Sequence, residues 1–205
     1  MIKITWSKAF LLKFLRIQFR EVSKRPWIVT WFYRVINSKT GKQVWLHEWT
    51  NKQINEPHPD MVKLANELKS NRSFADTVNK IEKWVVDNFR YVLDEGEEWL
   101  TAIETLRRKY DDCDGQNNLI YVLCMLAGVP SWLMWNVLGQ TKDGLHFYCL
   151  FFYTHKMDLI PIDSTYYVET GSMKDQKPFR VSSLKYHYPD FIWNEDHTFK
   201  LKTIK

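Results

Sequence analysis

The sequence has few of the residues that build linkers, disulfide frameworks or membrane spans. Its 205 residues include 7 Gly and 7 Pro, too few for a long flexible linker. Its 3 Cys are widely spaced and form no Cys-x-x-Cys pair, which argues against a disulfide framework or a zinc knuckle. No segment approaches the ~18 consecutive apolar residues of a membrane span. The cysteine pattern suits a reducing compartment, or one reactive thiol among inert buried ones.

A secretion signal is also lacking. Residues 9–19 (AFLLKFLRIQF) are apolar enough to look like one. Lys13 and Arg16 interrupt that run, and no small-residue cleavage site follows it. We therefore predict a cytoplasmic protein with no secretion signal and no transmembrane segment.

Net positive charge is confined to the N-terminus. Residues 1–25 contain seven Lys or Arg and one Glu, so they contribute +6 to a net charge of +5, and the rest of the chain sums to −1. The basicity is therefore a property of the N-terminus and no evidence of a nucleic-acid groove, and we predict no specific nucleic-acid partner. Residues 7–24 are predicted to form a helix with one basic stripe. That helix either anchors the chain to a membrane surface or an acidic partner, or packs on the domain with its cations in water.

Apolar residues, by contrast, are plentiful. The sequence is 45% hydrophobic and 16% aromatic, with 10 Trp, which predicts a folded domain. Residues 27–36 and 43–49 are rich in β-branched and aromatic residues and flank a turn-forming stretch, so they predict a β-hairpin. Asp60 is a suitable N-cap for a short helix that runs to Lys69.

Further helices come next, and strands follow them. Ser73 is a suitable N-cap for a helix over 74–89, a second helix is predicted over 100–109, and a third over 114–127 ends at Gly128. After it, short aromatic and β-branched segments predict antiparallel strands and a C-terminal hairpin. The predicted strands are 132–138, 145–153, 158–163, 190–193 and 198–204. This order predicts an α+β domain in which helices 74–89 and 114–127 pack on an antiparallel sheet.

Cys113 is the first candidate for chemistry, because it immediately precedes the helix over 114–127. Unpaired N–H groups and the helix dipole favour an anion at a helix N-terminus, so a thiolate is stabilised there. Asp111, Asp112 and Asp114 oppose this effect, since neighbouring carboxylates raise the pKa of a thiol unless they are turned away or used as caps. Position alone therefore leaves the role of Cys113 open.

His146 and Asp163 are the second and third candidates. Of six histidines, His146 alone lies in a strongly apolar strand, where a buried imidazole needs a partner for its ring nitrogens. Asp163 ends the next strand, and positions at one end of adjacent antiparallel strands are neighbours. A carboxylate there would fix the tautomer of the imidazole, as in catalytic triads. The alternatives are a core histidine bonded to backbone carbonyls and a turn-forming aspartate.

Together these three positions resemble the transglutaminase-like superfamily, which has a papain-like Cys-His-Asp triad. The matching segments, in the family's order, are 84–91, Trp99, 101–106 (TAIETL), 112–114 (DCD), 126–130 (LAGVP), 144–147 (GLHF) and 161–165 (PIDST). The spacing is 33 residues from the Cys to the His and 17 from the His to the Asp. The resemblance implies a papain-like or transglutaminase-like core.

The resemblance also divides the chain. Residues 1–72 hold the basic amphipathic helix, the β-hairpin and a connecting segment. Residues 73–205 hold the transglutaminase-like catalytic domain, with the resemblance itself confined to a core at 73–167. We predict a domain boundary between the two parts.

The resemblance implies an acyl-transfer enzyme with Cys113 as the nucleophile, His146 as the general acid–base, and Asp163 as the group that orients the imidazole. Its substrate would be a protein or peptide. Water as the acceptor gives a peptidase or amidase and an amine gives a cross-linking transglutaminase; hydrolysis is favoured because water is always present. Trp99 resembles a tryptophan that stabilises the oxyanion, with a packing role as the alternative. Neither a metal ion nor an organic cofactor is implied.

A non-catalytic role is the competing hypothesis. Three positions depart from the family's pattern: Asp111 replaces a frequent Gly, Phe147 a small residue and Ser164 a frequent Pro. The chain could use the fold as a structural or binding module in a larger assembly, since a fold does not fix a function. Small transglutaminase-like proteins occur among viral and phage proteins, so a virion component, with a virion-associated location, is the corresponding expectation.

Overall fold

The structure is a computed structural model. It describes residues 28–29, 34–36, 43–93, 99–141, 144–166 and 186–201. The helix predicted over residues 7–24, and with it the predicted membrane or acidic partner of residues 1–25, lies outside the described residues. Within the described ranges, no helix combines the length and the apolar character that crossing a membrane requires.

Helices and strands of this part of the chain form an α+β fold, as predicted. The helices are α1 (Leu46–Asn55), α2 (Pro59–Leu68), α3 (Phe74–Asn88), α4 (Ala102–Arg108) and α5 (Cys113–Leu126). The strands are β1 (Ile28–Val29), β2 (Arg34–Ile36), β3 (Gln43–Trp45), β4 (Arg90–Tyr91), β5 (Tyr110–Asp111), β6 (Met134–Thr141), β7 (Gly144–Tyr153), β8 (Asp158–Ile162), β9 (Tyr186–Trp193) and β10 (Thr198–Leu201).

Six of these strands form one antiparallel sheet in the order β1-β10-β9-β6-β7-β8. β8 pairs with the second half of β7, where Cys149 lies opposite Ile162. The antiparallel sheet predicted over 132–163 is confirmed. The predicted C-terminal hairpin is also confirmed as β9 and β10, and β9 lies beside β6. The predicted N-terminal hairpin is present only in part: β2 pairs with β3, whereas β1, from the start of the predicted strand 27–36, pairs with β10.

α5 is the central helix of the domain. Every residue from Gly115 to Cys124 is buried, because the other four helices pack around α5 and its remaining face packs on β6 and β7. A helix buried on all sides needs internal partners for its polar side chains. The helix ends as predicted, with Gly128 at a positive φ of 90°. Because α5 begins at Cys113, core packing sets the position of that residue.

α3 begins where the sequence predicts. Ser73 is its N-cap, and the Ser73 hydroxyl accepts the N–H of Asp76 at 3.0 Å. Val78 and Val85 are fully buried, whereas Phe74, predicted on the same face, is 45% exposed. α3 packs on α5, and α5 packs on the sheet, so the two predicted helices form successive layers.

The prediction of a strand over 43–49 is wrong in its second half. The strand ends at Trp45, and α1 begins at Leu46. Leu46, Trp49 and Thr50 are buried on one face, because residues three and four apart lie together on a helix. The β-branched and aromatic residues of QVWLHEW favoured a strand and concealed this helical spacing.

The predicted cap of the next helix is also wrong. The N-cap of α2 is His58, and its Nδ1 accepts the N–H of Asp60 at 3.2 Å. Asp60 lies in the first turn, where its charge still complements the helix dipole. Pro59 is the first helical residue, a position that needs no N–H donor. α1 and α2 both contact α5, and the domain boundary near residue 72 stays a prediction.

Candidate active site

Cys113 occupies the first position of α5, at the junction between the helices and the sheet. Asp112 is the N-cap, and its Oδ1 accepts the N–H of Asp114 at 3.0 Å. The Cys113 side chain is half-buried, and its Sγ accepts the N–H of Phe147 from β7 at 3.4 Å. Phe147 follows His146 directly in the chain. The Cys113 thiol therefore lies beside the backbone N–H of the residue next to His146.

His146 and Asp163 form a buried pair. His146 Nε2 lies 2.9 Å from Asp163 Oδ2, and the two residues are 5% and 3% exposed. The strand register explains the contact. Because Cys149 lies opposite Ile162, the next residue, Asp163, comes level with Tyr148 and diagonal to His146 on the same face. The two residues are neighbours, as the sequence predicts, and their side chains lie within hydrogen-bonding distance.

The carboxylate of Asp163 is held in place by more than the imidazole. Its Oδ1 accepts the N–H of Thr165 at 3.0 Å and lies 3.4 Å from Asn117 Nδ2. Its own backbone N–H donates to Glu82 Oε1 of α3 at 3.0 Å. A carboxylate that accepts from Nε2–H leaves Nδ1 as the acceptor nitrogen of the neutral ring. The expected contact of about 4 Å between Cys113 Sγ and a His146 ring nitrogen stays a prediction.

Two tyrosines flank the imidazole. The Tyr166 ring centroid lies 4.9 Å from that of His146, and the Tyr148 ring lies nearly parallel at 6.3 Å. Tyr148 is fully buried two residues further along β7, and Tyr166 follows the turn that begins at Asp163. The ring of His146 is therefore packed between side chains from both strands of the site.

The acidic residues next to Cys113 have different roles. Asp111 is fully buried; its Oδ2 accepts the Thr105 hydroxyl at 2.7 Å and its Oδ1 accepts the Asp112 N–H at 3.1 Å. Its carboxyl group lies so close to Gly115 that a Cβ on that residue would overlap it. Asp111 is thus turned inward and Asp112 is used as a cap. These are the two arrangements under which the sequence analysis allowed acids beside a thiol.

The environment of Cys113 opposes ionisation of its thiol. Burial raises the pKa of Cys113 above its usual range, the N–H of Phe147 acts in the opposite direction, and the charges of Asp112, Asp114 and Asp163 raise it further. A neutral thiol is the resting form under these conditions. Any nucleophilic role then requires that a base take the proton as the sulphur reacts.

Within the described residues, one group of acids has the spacing of a metal site. Carboxylate oxygens of Asp111, Asp112 and Asp114 all lie within 4.8 Å of one another. The sequence predicts no metal ion, and this set differs from a zinc knuckle because every candidate ligand is a carboxylate oxygen. Three carboxylates at this separation repel one another. A hard cation such as Ca²⁺ takes oxygen ligands of this kind and would offset that repulsion.

Trp99 lies among aromatic side chains. Its ring is 5.7 Å from those of Trp49 and Phe147 and 6.4 Å from that of Trp193, with edge or tilted geometry. These contacts match the packing role weighed for this residue. Its predicted role as an oxyanion stabiliser stays a prediction. Trp99 does contact Phe147, the residue that follows His146 in β7.

The sequence analysis missed Asn117 and Tyr91. Asn117 lies one helical turn after Cys113 and bonds to groups around all three candidate residues. Tyr91 ends β4, which pairs in parallel with β5, the strand that leads into Cys113. Partial burial and the charge of Asp112 raise the pKa of Tyr91 to about 12. Spacing of i, i+4 from Cys113 could have indicated Asn117, whereas only tertiary structure brings Tyr91 near.

The other two cysteines lie in the core. Cys124 and Cys149 are fully buried, and burial raises the pKa of both thiols well above the usual range. Cys149 Sγ lies 3.5 Å from the carbonyl oxygen of Asn117 and from Asn136 Oδ1. Of the three thiols, Cys113 alone is within partial reach of solvent.

The fold is shared with solved structures of LapG from Legionella pneumophila. The EGTA-treated form matches with a TM-score of 0.54 and 18% identity, over 75% of this chain and 84% of that one. The calcium-bound form matches with a TM-score of 0.51 and 16% identity, over 75% of this chain and 87% of that one. No family model and no curated protein sequence matches. The chain thus has a papain-like or transglutaminase-like fold, and nothing in these neighbours supports the viral or phage type.

Proposed function

We propose that the protein is a cysteine-nucleophile enzyme that hydrolyses an amide bond of a protein or peptide through an acyl-enzyme. The observation that carries this proposal is the buried His146–Asp163 pair at 2.9 Å, set beside a helix-terminal thiol whose sulphur accepts the N–H of the next residue in β7. The alternative interpretations, a core histidine bonded to backbone carbonyls and a turn-forming aspartate, do not account for the direct bond between His146 and Asp163. A cysteine, an imidazole and an orienting carboxylate are the groups that nucleophilic catalysis requires.

The proposed reaction proceeds in two halves. As Cys113 Sγ attacks the carbonyl carbon, His146 Nδ1 takes the thiol proton and then gives it to the leaving amine. Asp163 holds the imidazole in the tautomer that leaves Nδ1 free and stabilises its charged form. The N–H of Cys113, at a helix start where no intrahelical acceptor exists, stabilises the oxyanion. Water then attacks the thioester, and Cys113 is regenerated.

The raised pKa of Cys113 favours general-base catalysis over a preformed thiolate. The thiol stays protonated until His146 takes the proton in the transition state. We therefore expect activity to increase with pH through the neutral range. A preformed ion pair would instead keep the sulphur reactive in acid.

A bound cation would change the electrostatic environment of the Cys113 thiol. Because one neighbour of the same fold is a calcium-bound structure, we propose Asp111, Asp112 and Asp114 as the ligands if this chain takes Ca²⁺. Their carboxylate oxygens and their mutual distance suit such an ion. The ion would supply positive charge beside the site and offset the carboxylates that raise the pKa of Cys113. Cys113 alkylation and thermal unfolding with Ca²⁺ and with EGTA would test this, with Asp114→Asn as the variant.

A peptide substrate is favoured by the surface beside the thiol. Tyr91, Val92 and Leu93 follow α3 next to the segment that leads into Cys113, and all three are exposed. Exposed apolar side chains in a row next to a reactive group suit an extended peptide. Hydrolysis is preferred over cross-linking because water needs no acceptor pocket.

The competing role, a non-catalytic module, is favoured by one observation: burial and acidic neighbours disfavour the thiolate of Cys113. The deciding experiment is digestion of a peptide library by the wild-type chain, Cys113→Ala and Cys124→Ala, with products read by mass spectrometry. We expect cleavage by the wild type and Cys124→Ala, and none by Cys113→Ala. Incorporation of a fluorescent amine into glutamine peptides would instead indicate cross-linking. Cleavage that survives in Cys113→Ala would rule out the enzyme proposal, and no cleavage by any of the three would favour the module.

A further inference from the structure

Asn117 joins the three elements that carry the candidate triad. Its side chain is fully buried one turn after Cys113 in α5. Its Nδ2 lies 3.0 Å from the carbonyl oxygen of Cys113, 2.8 Å from that of Phe147, and 3.4 Å from Asp163 Oδ1. Its Oδ1 accepts the N–H of Ser164 at 3.1 Å. One carboxamide thus bonds to the helix start, to β7 and to the turn after β8.

These bonds act on the groups whose relative position the proposed chemistry needs. The Phe147 carbonyl belongs to the same residue whose N–H donates to Cys113 Sγ. A fixed Phe147 carbonyl restrains the backbone of the residue that follows His146. The bonds to Asp163 and Ser164 fix the carboxylate that meets His146. Displacements of about 1 Å in such groups can cost about a hundredfold in rate.

We propose that Asn117 is the positioning residue of this site, a role that rests on the proposed function of Cys113, His146 and Asp163. It contacts no substrate. It holds the nucleophile, the neighbour of the base and the orienting carboxylate in one arrangement. A buried asparagine often serves only to satisfy core backbone groups, so the test must separate positioning from packing.

Asn118 is a matched control on the same helix. It is also fully buried, but its Nδ2 donates to Gln53 Oε1 of α1 at 3.1 Å. Asn117→Ala and Asn118→Ala both remove a buried carboxamide from α5. We expect both variants to unfold at a lower temperature than the wild type. Only Asn117→Ala should alter the site.

The first readout is alkylation of Cys113 by iodoacetamide at a fixed pH, followed by mass spectrometry and needing no substrate. Loss of the Asn117 bonds leaves the Cys113 and Phe147 carbonyls less firmly held, so Cys113 Sγ no longer keeps one fixed position against the N–H of Phe147. We expect the alkylation rate of Cys113 in Asn117→Ala to differ severalfold from that of the wild type, and the rate in Asn118→Ala to match the wild type.

The second readout is peptide hydrolysis, in which Asn117→Ala should lower kcat about a hundredfold with little change in KM. Equal alkylation and equal kcat in the two variants would overturn the positioning role while leaving the enzyme proposal intact. If the wild type cleaves nothing, the enzyme proposal fails, and the alkylation comparison still decides whether Asn117 positions the thiol. If Asn117→Ala does not fold, Asn117→Ser carries the same comparison, because its hydroxyl can still bond the Cys113 carbonyl one turn back. Wild-type alkylation in a folded Asn117→Ser would likewise overturn the role.

Discussion

Gly115→Ala tests the close packing of Asp111 against Gly115, two residues after Cys113 in α5. In an ordinary helix interior this change stabilises a protein by about 1 kcal/mol. Here the new Cβ would overlap the carboxyl group of Asp111 and lie 2.9 Å from its Cβ. Overpacking of this kind costs about 1–3 kcal/mol. Moving the carboxylate also weakens its bond to Thr105, and a bond to a charged group is worth about 1.5–3 kcal/mol.

The net expectation is a loss of about 3 kcal/mol in the free energy of unfolding. For a chain of this length that is a decrease of about 6–12 °C in Tm. Urea unfolding and thermal melting would measure both quantities. The helix-propensity gain is smaller than either loss, so the sign of the effect is set by the Asp111 contact.

A double-mutant cycle with Asp111→Ala provides the control. Asp111→Ala removes the carboxyl group that the new Cβ would overlap, although it keeps the Cβ of residue 111 and leaves Thr105 without its acceptor. In that background Gly115→Ala should cost less than it does in the wild type. If Gly115→Ala alone is as stable as the wild type, or if its cost is unchanged without Asp111, the account of this contact is refuted.

Three further predictions concern single groups. Asp163→Asn should reduce kcat by about 10⁴-fold in a peptide-cleavage assay, because the imidazole is then held in the wrong tautomer; near-normal kcat would contradict the triad. Ser73→Ala should lower the free energy of unfolding by about 1 kcal/mol in urea titrations, because the capping bond is lost. Stability should also fall as pH rises above about 8.5, because the folded-state pKa values of Cys113, Cys124 and Cys149 are all raised, so that only the unfolded chain loses these protons. Unfolding titrations at pH 7.5 and 9.5, with Cys113→Ala showing a smaller loss, would measure that effect.

The parts of the fold that local pattern determines were predicted from the sequence. Apolar spacing predicts a helix that begins next to Cys113, and a continuous apolar and aromatic run places His146 in a strand. Asp163 ends the next strand, and the ends of antiparallel neighbours lie close together. These local signals made the His146–Asp163 contact one of the alternatives, and the strand register decides it.

The rest depends on contacts that are distant in sequence. β9 pairs with β6 across some fifty residues, for which no local pattern exists. The inward turn of Asp111 requires Thr105 and the missing side chain of Gly115, so it cannot be read from the run of acids. Asn117 looks like any polar residue of a helix until β7 and β8 are placed against it. α1 was missed because the β-branched and aromatic residues of 43–49 favour a strand, although the segment also contains the start of a helix.

The central place of α5 also affects how the protein can diverge. Because its residues from Gly115 to Cys124 are all buried, most substitutions there would impair folding before they altered what the site recognises. New preferences for one substrate over another are left to the exposed stretch that ends in Leu93 and to the segment after Asp163. A lineage that lost the thiol alone would keep the whole scaffold. Descendants of one ancestral chain could thus share this core while differing both in what they cut and in whether they cut at all.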